Sequence, residues 1–533
     1  MSQSRLFRLE QSLGGAAFII AVASILSRVM GLVRDRILLS TFGAGSVLDV
    51  YYSAFRVPDL LFNLLVLGAL SASFIPVFLA QIEAQGRAKG LQLAGSILNW
   101  MVVGLGLVGG LTAVFSVPLA MLMFPGASVS EQLEIAHFSR VMLISTVFFG
   151  VSNVASGVLQ SERRFLSVSL APIMYNVGII FGALVGVPWF GPIGLAYGVV
   201  CGAALHFLVQ LPSLWSTGFR FTGTFDPKNP GLRSLFKLMI PRSLALGVAQ
   251  LNIMILYGIA SFLETGSRAV WAAADNIQQV PINVFGVSMA VAAFPLFSAA
   301  FVKAQPDQFK IAFSASFRRI SYFVIPASIA ILLLRAQFVR LIYGTGQFNW
   351  EDTYMVAQTL GAFSLALLAQ ALIPLLARSF FAQKNTKTPV VISIISVVVN
   401  IVSAVLLAPQ YGVVGLALAF ALGSFINMLL LLMVLRVQFG DLDDDKIVKN
   451  TTKIALLAVS SGLVIQGLKY FIAPLVDMTT FVGVFIQTAG AFSGGAAVYL
   501  AASIWFRFEE VDMVREMIVN MRSAIRRAFK NGA

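Results

Sequence analysis

The chain has 533 residues, of which 58% are hydrophobic and only 11% charged, where soluble domains carry about 25% charged residues. That balance excludes a soluble globule and points to a polytopic helical membrane protein. The single cysteine, Cys201, excludes a disulfide framework, and two scattered histidines, His137 and His206, exclude a zinc centre.

The first apolar run covers residues 14–42 and follows Arg5 and Arg8, as a signal peptide would. It is too long for one and contains Arg28, so it reads as a retained first span. Arg28, Arg34, Asp35 and Arg36 put four charges within nine positions of that span. Ionisable groups inside a membrane nearly always face a bundle interior or a water-filled cavity. On a helix Arg28 and Asp35 share a face with Gly31 between them, and Arg34 lies off that stripe. Arginine keeps its charge and its fork suits phosphate. The run therefore reads as the wall of a cationic cavity for an anionic substrate. The structural alternatives are an ion-pair cluster between helices or a headgroup anchor.

Apolar segments of spanning length number fourteen in all: 15–40, 48–80, 91–122, 134–160, 168–187, 192–216, 234–263, 268–302, 312–335, 352–382, 388–408, 412–436, 452–473 and 480–506. The second and eighth are long and contain Pro58, Pro76, Pro281 and Pro295, where kinks are expected. With both termini in the cytoplasm, the inner segments collect Arg87, Lys89, Arg163, Arg164, Arg220, Lys228, Arg233, Lys237 and the basic tail at 507–530. The outer segments keep only Arg268, Arg335 and Arg340. This asymmetry accounts for the net charge of +14 without nucleic acid.

The chain also repeats itself. Gly45-Ser46 returns as Gly266-Ser267, and Gly191-Pro192-Ile193-Gly194-Leu195-Ala196 returns as Gly412-Val413-Val414-Gly415-Leu416-Ala417, both 221 residues apart (266 − 45 and 412 − 191). The shared offset implies two six-helix halves in the same orientation. The expected organisation is a first lobe at 1–218, a cytoplasmic linker at 219–233 and a second lobe at 234–437. A cytoplasmic loop at 438–451, a helix pair at 452–506 and a basic cytoplasmic tail at 507–533 follow, the tail lying on anionic headgroups.

No catalytic constellation is present: the sequence has no Walker loop, zinc-helix motif or nucleophile elbow. The chain is read as a transporter rather than an enzyme, with no cofactor and with a coupling ion or the membrane potential as its energy source. Asp49, Arg56 and Asn63 stand at heptad spacing on the second span, with Asp59 three after Arg56. They read either as a cavity stripe or as an intrahelical pair beside a proline kink. Asp275, Asn276, Gln278, Gln279 and Asn283 surround Pro281 on the eighth span, a mostly neutral set suited to hydrogen bonding sugars or peptide. Arg140, Arg242, Arg378 and Lys469 read as snorkelling side chains, and His137 and His206 as packing residues, with proton relay the functional alternative.

The run Ser27-Arg28-Val29-Met30-Gly31-Leu32-Val33-Arg34-Asp35, with Phe42-Gly43-Ala44-Gly45 and Asp49, resembles the opening of the MurJ/MviN family of the MOP flippase superfamily. Val57-Pro58-Asp59-Leu60-Leu61, Gly68-Ala69 with Ser71, Phe74-Ile75-Pro76-Val77-Phe78, Ala171-Pro172 with Asn176, Val280-Pro281, Phe285-Gly286-Val287 and Thr388-Pro389-Val390 extend the similarity over about residues 15–440. The resemblance implies an all-α protein of fourteen transmembrane helices. Two pseudo-symmetric six-helix lobes would form a V, with a C-terminal helix pair making a lipid-tail groove. It further implies a flippase of the bacterial cytoplasmic membrane that moves lipid II, the undecaprenyl-diphosphate-linked peptidoglycan precursor, by alternating access. Membrane lipids and cell-wall synthesis or division proteins would be its partners.

By resemblance, Arg28, Arg34, Asp35 and Asp49 occupy the family's cavity positions. Where typical members carry an arginine pair and then an acidic residue, this chain has Phe62, Asn63 and Leu67, and an Ala-Asp-Arg reads Ala274-Asp275-Asn276. Each lost arginine–phosphate contact would remove about 1.5–3 kcal/mol. A flippase for another lipid-linked oligosaccharide, an exporter of the same superfamily, and a non-transporting scaffold on the same fold are the other readings.

Overall fold

The computed structural model describes residues 13–67, 74–226 and 229–511, with their side chains except at 13–18, 236–242 and 244–246. Arg5, Arg8, Gly68, Ala69, Ser71, Lys228, the side chains of Lys237 and Arg242, and the basic tail from residue 512 lie outside this description. The described residues contain helices and no strand. The helices are α1 (Leu13–Phe42), α2 (Ser46–Leu67), α3 (Phe74–Gln85), α4 (Arg87–Val114), α5 (Ser116–Met123), α6 (Val129–Ser161), α7 (Phe165–Phe190) and α8 (Gly194–Ser216). They continue as α9 (Pro230–Ala260), α10 (Ser267–Val302), α11 (Pro306–Tyr343), α12 (Trp350–Ala382), α13 (Lys387–Phe439), α14 (Asp444–Leu475) and α15 (Phe481–Trp505). Among the described residues, eleven helices are long and apolar enough to cross a membrane.

Local chemistry explains the helix ends. Ser128 accepts from the Glu131 amide at the start of α6, Asn229 from Gly231 at α9, and Thr480 from Gly483 at α15. Each side-chain oxygen satisfies an amide that has no partner within its helix. The kinks expected around Pro58 and Pro281 take the form of π-helical turns, Phe62–Leu67 in α2 and Ile282–Val287 in α10. Pro58 has no amide to give the Ala54 carbonyl four residues earlier; Ser139 of α6 donates its hydroxyl to that carbonyl at 2.9 Å instead. Arg140 does the same service for the break at Phe115 between α4 and α5. Its Nε donates to Ala113 O at 3.1 Å and Ser116 Oγ at 2.6 Å, which corrects its reading as a snorkelling side chain. Lys469 is likewise engaged, donating to Leu333 O at 3.0 Å beside the non-helical Leu334 of α11.

The chain divides into two compact units, Met1–Val270 with Tyr343–Asp352, and Trp271–Ile342 with Thr353–Ala533. In the first, Phe74 and Phe78 of α3 pack with Ile97 and Met101 of α4, Val154 and Val158 of α6, and Leu214 and Phe219 around the end of α8. In the second, Tyr322 of α11, Ile454 and Ala458 of α14, Tyr499 of α15 and Phe508 form one cluster. Leu334, Ile465 and Ala491 form another. α6 and α12 are the most enclosed spans, with 61% and 67% of their apolar windows buried. The outward apolar residues of α14 and α15, such as Leu463, Phe471 and Phe485, form a hydrocarbon-compatible surface.

The internal repeat extends from sequence to conformation. Gly191 (φ 72°, ψ −163°) joins α7 to α8, and its counterpart Gly412 (φ 58°, ψ −139°) breaks α13 in the same glycine-only region. Beyond each turn the close approaches match as well. A Cβ on Gly194 would fall 2.5 Å from Gly186 O, and one on Gly415 would fall 2.3 Å from Leu407 O. One on Gly202 would meet Tyr175 O at 2.5 Å, and one on Gly423 would meet Ser396 O at 3.1 Å. Glycines on these helices are therefore packing positions, letting two backbones approach within van der Waals range. Gly45 and Gly266 do not correspond in conformation: Gly45 is extended (φ −122°) and Gly266 has φ +95°.

Candidate functional site

Arg34 lies on the inner half-buried side of α1. Its Nε and Nη2 both reach Asp35 Oδ1, at 2.8 and 2.7 Å, and its Nη1 donates to Asn176 Oδ1 of α7 at 3.1 Å. Asn176 is itself fixed, because its Nδ2 donates to Pro172 O one turn earlier at 3.0 Å. The guanidinium is therefore held on two sides while 23% of the side chain stays accessible; the Asp35 side chain is only 4% accessible. Tyr51 and Tyr52 of α2, both buried, are electrostatic neighbours of the pair. Arg28, two turns earlier on α1, is exposed. The side chains brought into contact are thus Arg34, Asp35 and Asn176, with Arg28 apart from them.

The heptad stripe of α2 is distributed over three surroundings. Asp49 is buried, and its carboxylate caps the start of α10 from outside that helix: Oδ2 accepts from the Gly266 amide at 2.6 Å and Oδ1 from the Ala269 amide at 2.8 Å. Arg268 sits over the same carboxylate at 3.4 Å, donates to Ser53 Oγ at 2.9 Å, and pairs with Glu131 of α6. Arg56 donates to Tyr52 O at 3.1 Å, lies 3.6 Å from Asp59, and stacks 4.3 Å above the Tyr257 ring of α9. Asn63 turns back on its own helix and donates to Asp59 O at 2.8 Å.

Around Asp49 the connections of the first unit interlock. Gln347 donates its amide to Ser40 O at 2.8 Å, the Ala44 amide reaches Asp352 Oδ2 at 3.2 Å, and the Gly126 amide reaches Ser261 Oγ at 3.0 Å. At Gly266 there is no room for a side chain, since a Cβ would fall 2.0 Å from Ala44 O.

In the second unit, Asp275 accepts from Gln278 Nε2 at 2.8 Å and from Gln279 Nε2 at 3.3 Å, and Asn283 donates to Gln279 O at 2.8 Å. The amides around Pro281 thus form one hydrogen-bonded set, with Asn276 half-buried beside it. No cluster of metal-ligating side chains occurs among the described residues.

Arg268, Glu131, Asn176 and Tyr257 are site neighbours that residue patterns alone did not single out. One signal was available for Arg268: it is among only three basic residues assigned to the outer segments, directly after the repeated Gly-Ser. Asn176 entered only through the family motif, because a lone asparagine in an apolar helix has no partner visible in sequence.

A family model described as lipid II flippase MurJ matches residues 38–486. The probable lipid II flippase MurJ of Vibrio cholerae is 31% identical over 440 residues, covering 79% of this chain and 83% of the relative. The lipid II flippase MurJ of Burkholderia cenocepacia is 31% identical over 426 residues, covering 78% and 82%. Among solved structures, a lipid II flippase MurJ in an inward closed conformation matches with a TM-score of 0.76 at 23% identity, covering 92% of this chain and 99% of that one. An inward-facing multidrug resistance MATE family transporter of the MOP superfamily matches with a TM-score of 0.67 at 16% identity, covering 80% and 99%. These structural likenesses establish the fold.

Proposed function

The chain belongs to the lipid II flippase MurJ family, and from that premise we propose that it moves lipid II from the inner to the outer leaflet of the bacterial cytoplasmic membrane. It is a transporter, not an enzyme. The observation that carries the reading is the Arg34 guanidinium, accessible on one side and held on the other by Asp35 and Asn176 within an apolar helix. A cation kept in lipid surroundings at a desolvation cost marks a substrate path. A fork oriented in advance loses little entropy on taking a diphosphate oxygen.

In this reading Arg34 and the exposed Arg28 receive the diphosphate, with Arg56 as a further cation. Asp35 holds Arg34 in place, and the amides around Asp275 and Asn276 serve the sugar and peptide. Asn63 and Asn276 stand where typical members have arginine, so the α1 cations carry most of the phosphate attraction. The prenyl chain stays in lipid beside α14 and α15, whose outward faces are apolar.

Fourteen spans follow if α1, α9 and the two parts of α13 about Gly412 are counted as crossings beside the other ten helices. Lobes at 1–218 and 234–437 and a separate pair at 452–506 are the corresponding organisation, with both termini in the cytoplasm on the basic-residue asymmetry. On that topology Asp49, Arg268, Glu131, Ser40, Gln347 and Asp352 all lie at the outer ends, and their network is the closure that alternating access has to release. The membrane potential is the proposed drive, worth about 2.3 kcal/mol per charge per 100 mV. Cell-wall synthesis and division proteins are the proposed neighbours.

Complementation tests the reading: the gene should sustain growth of a bacterium depleted of its own lipid II flippase, and lipid II should copurify with the protein by mass spectrometry. Failure of complementation by well-expressed, membrane-inserted protein would reject it.

A further inference from the structure

A cavity of about 220 Å³ lies within the first unit, between α2, α6, α7 and α8, with Tyr175, the sequence neighbour of Asn176, in its wall. Phe149 of α6 lines it, with the ring centroids of Phe62, Tyr175 and His206 at 5.3, 5.0 and 5.4 Å from its own. The charged side chain in its wall is Asp59, 40% accessible. Its contact with Arg56 is long, at 3.6 Å, and the Arg56 guanidinium also donates to Tyr52 O and lies over the face of Tyr257.

His206 also lines the cavity, and Ser152 and Gln210 bond beside its ring. Ser152 Oγ accepts the amide hydrogen of Gln210 Nε2 at 2.6 Å, and it lies 2.6 Å from His206 Nδ1 but 3.4 Å from His206 O. The Ser152 hydroxyl therefore ties the Nδ1 side of His206 to the Gln210 amide. The lining thus includes one carboxylate, several aromatic rings and no lysine or arginine.

We propose that this cavity binds a primary ammonium group on a short aliphatic stem. Aromatic faces attract ammonium through their quadrupole and Asp59 supplies the counter-charge. An anionic group would meet the same carboxylate unfavourably. The volume falls below the roughly 300–1,000 Å³ of sites for whole drug-sized ligands, so it suits one functional group. That group is borne either by the headgroup of the translocated precursor or by a free amine.

Calorimetric titration of the full chain in lipid nanodiscs with butylammonium, and with 1-butanol as the neutral isostere, tests the site. The wild type should bind butylammonium and not butanol, and Asp59→Asn should weaken binding at least tenfold. Phe149→Leu, which keeps bulk without a π face, should weaken it as well. Equal responses to butylammonium and butanol, or Asp59→Asn and Phe149→Leu both behaving as wild type while remaining folded by thermal melt, would overturn the proposal.

A second arm, which rests on the flippase reading, compares translocation of a precursor with a free amine and the same precursor N-acetylated. Faster movement of the free amine, abolished in Asp59→Asn, assigns the site to the headgroup; equal rates alongside butylammonium binding assign it to free amines. If neither precursor moves, the flippase reading fails while the titration still decides the site.

Discussion

Arg34 and Asn176 meet at 3.1 Å, Nη1 donating to Oδ1, across 142 positions of sequence. Asn176 is itself held by Pro172 O, so its oxygen has one direction to point. Asn176→Ala should leave the fold intact and free Arg34 to collapse fully onto Asp35. A hydrogen bond to a charged group is worth about 1.5–3 kcal/mol, and translocation should fall about tenfold or more. Asn176→Asp, which adds a second carboxylate beside Arg34, should be at least as damaging. Initial translocation rates at matched protein levels check both.

Much of this arrangement was legible beforehand, and the remainder was hidden for physical reasons. Hydrophobic run length located the helices, and the 221-residue offset identified turns that share an unusual backbone conformation at Gly191 and Gly412. Four charges on α1 drew attention to that helix, where the structure brings Arg34 and Asp35 together. Helical spacing paired Arg28 with Asp35, whereas the long arginine side chain bends to its neighbour and Arg34 makes that contact. Asp49 was expected at a cavity position from the resemblance, whereas it is buried and accepts from the backbone amides of Gly266 and Ala269, which carry no residue-type signal. Lys469 and Arg140 looked like interfacial anchors because sequence does not reveal which helix breaks leave a carbonyl open.

The Asp49–Arg268–Glu131 network yields a stability prediction. Arg268→Ala leaves buried Asp49 and partly buried Glu131 without their cation, a change that typically costs about 3–5 kcal/mol. Asp49→Ala additionally strands the amides of Gly266 and Ala269. The two substitutions should be strongly non-additive in a double-mutant cycle followed by unfolding in detergent. Additive effects would mean that the two residues act independently.

Packing of α7 on α8 gives a second stability test. A Cβ on Gly198 would lie 2.7 Å from Gly182 Cα, whereas one on Gly104 of α4 meets nothing within 4 Å. Gly198→Ala should therefore destabilise by about 1–3 kcal/mol, the usual cost of overpacking. Gly104→Ala should be neutral or mildly stabilising, and thermal melts of the two variants make the comparison.

Beyond α15, Glu509 is held below the ordinary carboxylate value by hydrogen bonds from Lys446 and then Arg318. A depressed folded-state pKa stabilises above the unfolded value, and that contribution disappears as pH falls through the folded one. The Glu509 side chain is 63% accessible, so screening keeps the effect small. The melting-temperature difference between wild type and Glu509→Gln should be constant near neutral pH and shrink toward zero below the ordinary glutamate value of 4.5. A difference that persists unchanged under acid would remove Glu509 from this role.

Reconstituted translocation addresses the role of the α1 cations most directly. Proteoliposomes containing labelled lipid II should show protein-dependent transfer between leaflets for the wild type. Transfer should be strongly reduced by Arg34→Ala, reduced by Arg28→Ala, and only partly restored by Arg34→Lys, which keeps charge but not the fork. Wild-type rates in both Arg34→Ala and Arg28→Ala would contradict the account.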